Sequence, residues 1–313
     1  MRTNLLRSLP LILAMQLASA AVSYTYDAAG RLIKAVYDNG SIISYTYDSA
    51  GNPISRSAVT PSAMNIASVT TAFGGSNIAQ NTWIVIKGAN LVPANTPAAG
   101  IIWSAAPDFA HGKMPTNLNG IGATVNGKPG FVYFFCSAAT DPQCPADQIN
   151  LLSPLDSTLG PVQVVVNNNG ASSPPFMANM TSISPAFLLF DSSNIAAEHT
   201  DYTLLAPTSV FPNSSTPARP GETIILYGIG FGLPSDNTLT NGSSSQSGSL
   251  TPLPVCQIGG TATAPLVFAG LAGPGLYQLQ VTVPRTAPNG ANPVSCTYKG
   301  SATPAGGVIA VQQ

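Results

Sequence analysis

Apolar residues along this chain fall in strand-length pieces, and nearly every piece is cut by Gly or Pro before a helix could form. Residues 275–284, GLYQLQVTVP, alternate cleanly: Leu276, Gln278, Gln280 and Thr282 against Tyr277, Leu279, Val281 and Val283. That period of two predicts a strand with one buried and one wet face. Further strands are predicted at 82–87, 121–125, 131–135, 148–152 and 162–166, then at 223–227, 255–258, 266–268 and 294–298. Asn126-Gly127 reads as a hairpin turn between the second and third of these. Short strands divided by turn signals predict antiparallel β-sandwiches in an all-β chain.

The pattern occurs twice. Residues 218–234, ARPGETIILYGIGFGLP, carry an apolar run that ends in Gly228, Gly230 and Gly232, where backbone is expected to pack against backbone. Residues 81–93, NTWIVIKGANLVP, repeat it, with Gly88 in the place of Gly228. QINLLSP likewise matches the alternating strand, Pro154 standing for Pro284. The expected organisation is a sandwich over 62–182 and a second over 183–313, after a linker at 57–62 that contains Pro61. In the second, the polar loop 241–249, NGSSSQSGS, is expected to be mobile.

Composition narrows the partners. Only 7% of residues are charged and the formal net charge is −1, so no basic patch is available to hold phosphates, and nucleic acid is not an expected partner. With 44% hydrophobic residues the chain should fold, presenting hydroxyl and amide groups to solvent. Arg2 and Arg7 precede an apolar run from Leu9 to Leu17 and the small-x-small triplet Ala18-Ser19-Ala20. This predicts a signal peptide, 1–20, cleaved after Ala20, and export. No later segment has the length of a transmembrane helix.

Residues 24–32 read YTYDAAGRL and 45–53 read YTYDSAGNP. Tyr24, Tyr26, Tyr45 and Tyr47 sit at strand spacing; Asp27 and Asp48 open turns closed by Gly30 and Gly51; Asp38-Asn39-Gly40 signals a hairpin. The segment 21–60 resembles the YD repeats of Rhs-type and teneurin-type proteins. With two repeats only, it is expected to be a hairpin or a remnant.

From Asn65 to Gln313 the chain is similar to the Solibacter-type uncharacterised C-terminal domain family of secreted bacterial proteins. TIILYGIGFG, GLAGPGLYQLQVTVP, GATVNGKPGFVYFF, QIN and GPVQVVVNNNGASS carry the resemblance. It implies two tandem immunoglobulin-like sandwiches of the IPT/TIG kind and no assigned activity. CSAATDPQC, with Cys136 and Cys144, interrupts the family pattern before QIN.

Four cysteines in an exported chain suggest two disulfides, and the domain split favours Cys136–Cys144 and Cys256–Cys296 among the three pairings. The alternatives are unpaired buried thiols or a zinc site, for which a close Cys-x-x-Cys pair is missing. The histidines are His111 and His199. No Gly-x-Ser-x-Gly elbow and no HExxH helix occurs. Glu198, His199 and Asp201 form the tight cluster of ligand-type residues, read as a capped loop against a metal or catalytic role. No catalytic, metal or cofactor residue is assigned, and no cofactor is expected.

The segment 93–119 is a long connection carrying Trp103, Asp108, Phe109 and His111. Trp103 and Phe109 either plug the open end of the first sandwich or, with Tyr133 and Asp108, contact a ligand. The expected function is a non-enzymatic extracellular or cell-surface interaction or structural module, its partner a protein or a polysaccharide. The alternative is a carbohydrate-binding module stacking sugars on the aromatics around Trp103. An enzyme would need a polar cleft holding His199 with a carboxylate and a hydroxyl.

Overall fold

The structure, a computed structural model, describes residues 22–37, 41–59, 63–103 and 107–313. The expected signal peptide, the Asp38-Asn39-Gly40 turn and Pro61 lie outside the described residues. The molecule is all-β, and the chain divides into two compact units, Met1–Ser62 and Ala63–Gln313. Among the described residues, no helix is long and apolar enough to cross a membrane.

In the first unit, β1 (Val22–Tyr26), β2 (Leu32–Tyr37), β3 (Ile42–Tyr47) and β4 (Pro53–Val59) form an antiparallel sheet in sequence order. This is two hairpins joined edge to edge, not one, and the expected linker begins too early: Ser57 lies inside β4. Asp27 and Asp48 build the turns as their spacing predicts. Gly30 N donates to Asp27 O at 3.0 Å and Gly51 N to Asp48 O at 3.1 Å, while each carboxylate accepts backbone N–H groups of its own turn. Those bonds hold both carboxyls below the usual carboxylate range, the backbone N–H of Arg31 leading at Asp27 and the Asn52 amide at Asp48.

The second unit holds two large cores, each between facing sheets. Around the first, β5 (Asn65–Thr71), β7 (Trp83–Ala89), β12 (Asp147–Leu152), β11 (Phe131–Cys136) and β8 (Ile101–Ile102) make one sheet in that spatial order. The other runs β10 (Lys128–Pro129), β9 (Ile121–Val125), β13 (Gly160–Asn168), β15 (Phe176–Thr181) and β6 (Asn77–Ala79), with β14 (Ala171–Ser172) on β13. Ile84, Ile86, Ile149 and Leu151 face Ile121, Val125, Val164 and Val166 across the gap. The Asn126-Gly127 turn has positive φ at both residues, as a two-residue hairpin needs. It pairs β9 with β10, not with β11. At Gly130 the chain crosses to the facing sheet, resting on the Leu151 side chain.

Around the second core, β19 (Ser215–Thr216), β18 (Leu204–Leu205), β17 (Ala197–His199), β20 (Thr223–Ile229), β25 (Leu276–Thr282), β24 (Phe268–Gly273) and β21 (Gly248–Ser249) form one sheet, with β16 (Ala186–Phe187) on β20. The facing strands are β23 (Thr261–Ala262), β22 (Val255–Ile258), β26 (Gly290–Tyr298), β27 (Ser301–Ala302) and β28 (Val308–Val311). The strand expected at 266–268 starts at Phe268 and runs on to Gly273, although Val267 N already donates to Gln280 O of β25 at 3.0 Å. The internal match holds in space. β12 lies on β7 as β25 lies on β20, and Gly88 and Gly228 each sit against a neighbouring strand's carbonyl, Asn65 O and Ala186 O, where a Cβ would collide.

Both disulfides form as the split favours. Cys256 and Cys296 sit directly opposite on β22 and β26, and Cys136–Cys144 closes the inserted loop after β11. The carboxylate of Asp147, 6% exposed, braces that loop from beneath: it accepts from Leu91 N at 2.9 Å, Ala138 N at 3.0 Å and Ser137 Oγ at 3.2 Å.

Candidate functional site

The aromatic residues singled out in the sequence meet where the two halves of the second unit join. Trp83 opens β7 on the face away from the core, since Ile84 and Ile86 occupy the inward positions. Tyr133 is the bulged residue of β11: Val132 pairs with Leu151 and Phe134 with Asn150, leaving Tyr133 between them. A bulge re-aims its side chain, here toward the two tryptophans. Trp103 follows β8, and Phe109 stands on the 3-10 turn Pro107–His111.

All four rings meet edge to face. Trp103 lies 5.0 Å from Tyr133, 4.9 Å from Phe109 and 5.5 Å from Trp83, and Trp83 lies 5.5 Å from Tyr133. Each such contact is worth about 0.5–1.5 kcal/mol beyond burial. The rings are half-buried and, apart from Phe109, line an open cleft of about 370 Å³. Leu188, Ile229, Pro274 and Leu276 form its far wall, and Asn150 supplies a polar group. Trp83 Nε1 donates to Pro274 O at 2.8 Å, fixing one wall to the other. Asp108 and His111 are exposed and do not line it.

The seam beneath the cleft is polar and closed. Asn81 and Gln246 exchange two amide hydrogen bonds, Nδ2 to Oε1 at 2.8 Å and Nε2 to Oδ1 at 3.0 Å, and Gly275 N donates to Gln246 Oε1 at 3.1 Å. Loop 241–249 is therefore docked rather than mobile as its composition suggests. Met114 N donates to Gly242 O at 2.8 Å, Ser244 N to Gly112 O at 3.0 Å, and Gly242 lies flat on the Phe131 ring, with no room for a Cβ. Sequence reading saw the serines and missed that one buried glutamine anchors them.

The second cluster rearranges the sequence grouping. Glu198 and His199 alternate on β17 and point to opposite faces. Glu198 accepts from Tyr227 Oη at 2.7 Å, and burial with that bond pushes the phenol of Tyr227 well above its ordinary range. Asp201 caps its own turn, accepting from Thr203 N at 3.0 Å and Thr203 Oγ1 at 2.6 Å, which lowers its carboxyl. The partner of His199 is Glu222, just before β20, with Nδ1 and Oε1 2.5 Å apart; its other oxygen accepts from Arg219 N at 2.8 Å.

Nε2 of His199 faces Thr216 Oγ1 at 3.0 Å and Thr216 O at 3.2 Å. A polar cleft of about 730 Å³ thus holds a histidine, a carboxylate and a hydroxyl. The arrangement has the order hydroxyl, imidazole, carboxylate, yet the backbone carbonyl shares Nε2 with the hydroxyl. Bonded through Nδ1 to Glu222 and through Nε2 to Thr216, the ring ties β17, β19 and the turn before β20 together.

Cys136, Cys144 and Asp141 bring ligand-type atoms within 4.8 Å of one another, but the two sulfurs are bonded to each other.

Residues 26–61 match the RHS Repeat family model. No curated protein matches the chain. Among solved structures, it is similar to a surface glycan-binding protein, SGBP-B, of the Bacteroides ovatus mixed-linkage glucan utilization locus, in complex with a mixed-linkage heptasaccharide. Identity is 11% over 94% of this chain and 60% of that one, with a TM-score of 0.32. It is also similar to the Yersinia pseudotuberculosis adhesin InvE, at 11% identity over 77% of this chain and 58% of that one, with a TM-score of 0.20. The chain thus spans about 60% of the length of the first of these.

Proposed function

We propose that this chain is a non-enzymatic extracellular or cell-surface interaction module, exported through residues 1–20 with cleavage after Ala20. Residues 62–182 and 183–313 are read as two tandem immunoglobulin-like sandwiches of the Solibacter-type family. The aromatic cleft carries this reading. Trp83, Trp103 and Tyr133 offer half-buried rings in an open groove whose two walls are fixed to each other, so a partner is met by a preformed surface. The apolar lining suits an inserted apolar or aromatic side chain of an extracellular protein. Against chemistry at His199, the carbonyl of Thr216 shares the nitrogen a general base would need.

A polysaccharide partner is the second reading. Trp103 favours it, since its ring is only partly buried beside Tyr133 in an open cleft and sugar rings stack on such faces. Co-sedimentation of the chain with insoluble polysaccharides and with envelope fractions tests both, with Trp103→Ala and Trp103→Phe alongside. Glycan binding lost in Trp103→Ala and kept in Trp103→Phe supports the polysaccharide. Envelope binding lost in the same way, without glycan binding, supports a protein partner. Binding that ignores both variants removes the cleft from the reading.

A further inference from the structure

The first unit is one hairpin used twice. Val22 pairs with Tyr37, Tyr24 with Ala35 and Tyr26 with Leu32; Ile43 pairs with Ala58, Tyr45 with Arg56 and Tyr47 with Pro53. Every second pair is the first moved on by 21 residues, and the register slips at the same step, before Tyr26 and before Tyr47. The two hairpins join through β2 and β3, with Lys34 opposite Ser44 and Ala35 opposite Ile43. Two side chains lock that junction. Tyr47 Oη donates to Leu32 O at 2.8 Å, and the Arg31 guanidinium lies over the Tyr47 ring at 4.9 Å.

The outer strands repeat the two halves of this junction, with Asn52 standing where Arg31 does so that the tyrosine hydroxyl is the lock that carries over, and leave them unused. β1 is exposed from Ser23 to Tyr26, β4 is exposed from Pro53 to Ala58, and among the described residues neither pairs on its outer side. An open row of backbone donors and acceptors is a template for another strand. Here β4 is the equivalent of β2, and the strand that β2 takes is β3, the equivalent of β1.

We propose that β4 of one molecule takes β1 of a second copy of this chain, reproducing the β2–β3 junction between molecules. Moving that junction by one repeat fixes the register: Ser55 opposite Ser23 of the second copy, and Arg56 opposite Val22. One step along, Ile54, 67% exposed, meets Tyr24, 55% exposed, so two open apolar side chains cover each other. Tyr26, 57% exposed, donates its hydroxyl to the carbonyl of Pro53 as Tyr47 does to Leu32. The proline suits the place, because the template uses only the carbonyl there. The two surfaces differ, so the contact is head-to-tail and runs on to a ring or a filament. A single strand pair is a small interface, so association is weak and concentration-dependent.

Cross-linking of the full chain, produced by export so that the four cysteines are paired, tests the register. Ser23→Cys and Ser55→Cys are made as separate variants, both at exposed positions, then mixed under mild oxidation. The expected result is a mixed dimer about tenfold over the dimer from either variant alone, with the yield falling when Ser57→Cys replaces Ser55→Cys. Tyr26→Phe, measured by sedimentation, is expected to weaken self-association about fivefold, the effect of one lost hydrogen bond. Equal linking in a single variant, equal linking at Ser57, a chain that stays monomeric with no mixed dimer, or Tyr26→Phe associating as the wild type does, each overturns the proposal.

Discussion

Replacing Gln246 by Ala isolates what the seam of the second unit contributes. The side chain makes three hydrogen bonds there, two with Asn81 and one from Gly275 N, and both amides are buried. At about 1 kcal/mol net for each bond, the loss comes to about 3 kcal/mol. In a unit of this size that lowers Tm by about 6–12 °C. The loop also loses its anchor, so amides of residues 242–246 and of Gly275 should exchange faster than those of β7 and β20, whose ladders are untouched. Urea unfolding of Gln246→Ala, Asn81→Ala and the double variant completes the cycle. The expected coupling is about 2 kcal/mol, because two of the three bonds are shared by the pair. A loss under about 1 kcal/mol, or strict additivity, refutes the view that the amide pair holds the seam.

Trp103→Ala should reduce binding to the partner by at least about tenfold, as expected for an aromatic anchor near the centre of a contact, read by co-sedimentation or calorimetry. Asp156 accepts from Asn126 Nδ2 at 2.8 Å, Thr158 Oγ1 at 2.9 Å and Lys128 Nζ at 3.1 Å; these bonds, the Asn126 amide foremost, hold its carboxyl far below the ordinary 3.8. The stabilisation is therefore full above about pH 4 and lost progressively as pH falls below it toward the folded value, so Asp156→Asn should be less stable than the wild type at pH 7, with the gap narrowing steadily between about pH 4 and pH 2, by urea titration across pH. Removing Cys256–Cys296, which spans 40 residues, should cost about 4 kcal/mol, and removing Cys136–Cys144, which spans 8, about 2.5 kcal/mol, both read by chemical denaturation of the paired Ala variants.

The strands were legible because period-two patterns and Gly or Pro punctuation are local signals, and 121–125 and 255–258 match to the residue. The doubled glycines were legible too, since close backbone approach admits little else at Gly88 and Gly228. Chain neighbours misled at His199: Glu198 is adjacent but strand alternation sends it to the other face, while Glu222, 23 residues on, arrives through the pairing of β17 with β20. The same alternation, applied at Trp83, would have found it, because Lys87 shares its face and Ile84 and Ile86 do not. Nothing local announced that Tyr133 is a bulge or that Gln246 is buried; both depend on where a distant strand or loop comes to rest.

Between the halves of the second unit lies a third, smaller cluster, Met114, Phe131 and Leu152, with Trp83 and Trp103 against it. Gly242 from the other half seals Phe131, and Gly275 seals Leu152. Expressed alone, residues 63–182 would carry this apolar patch uncovered, beside aromatic rings that have lost their far wall. Each half of the second unit thus finishes the other's surface, and any truncation, domain swap or fusion has to move the pair as a single piece.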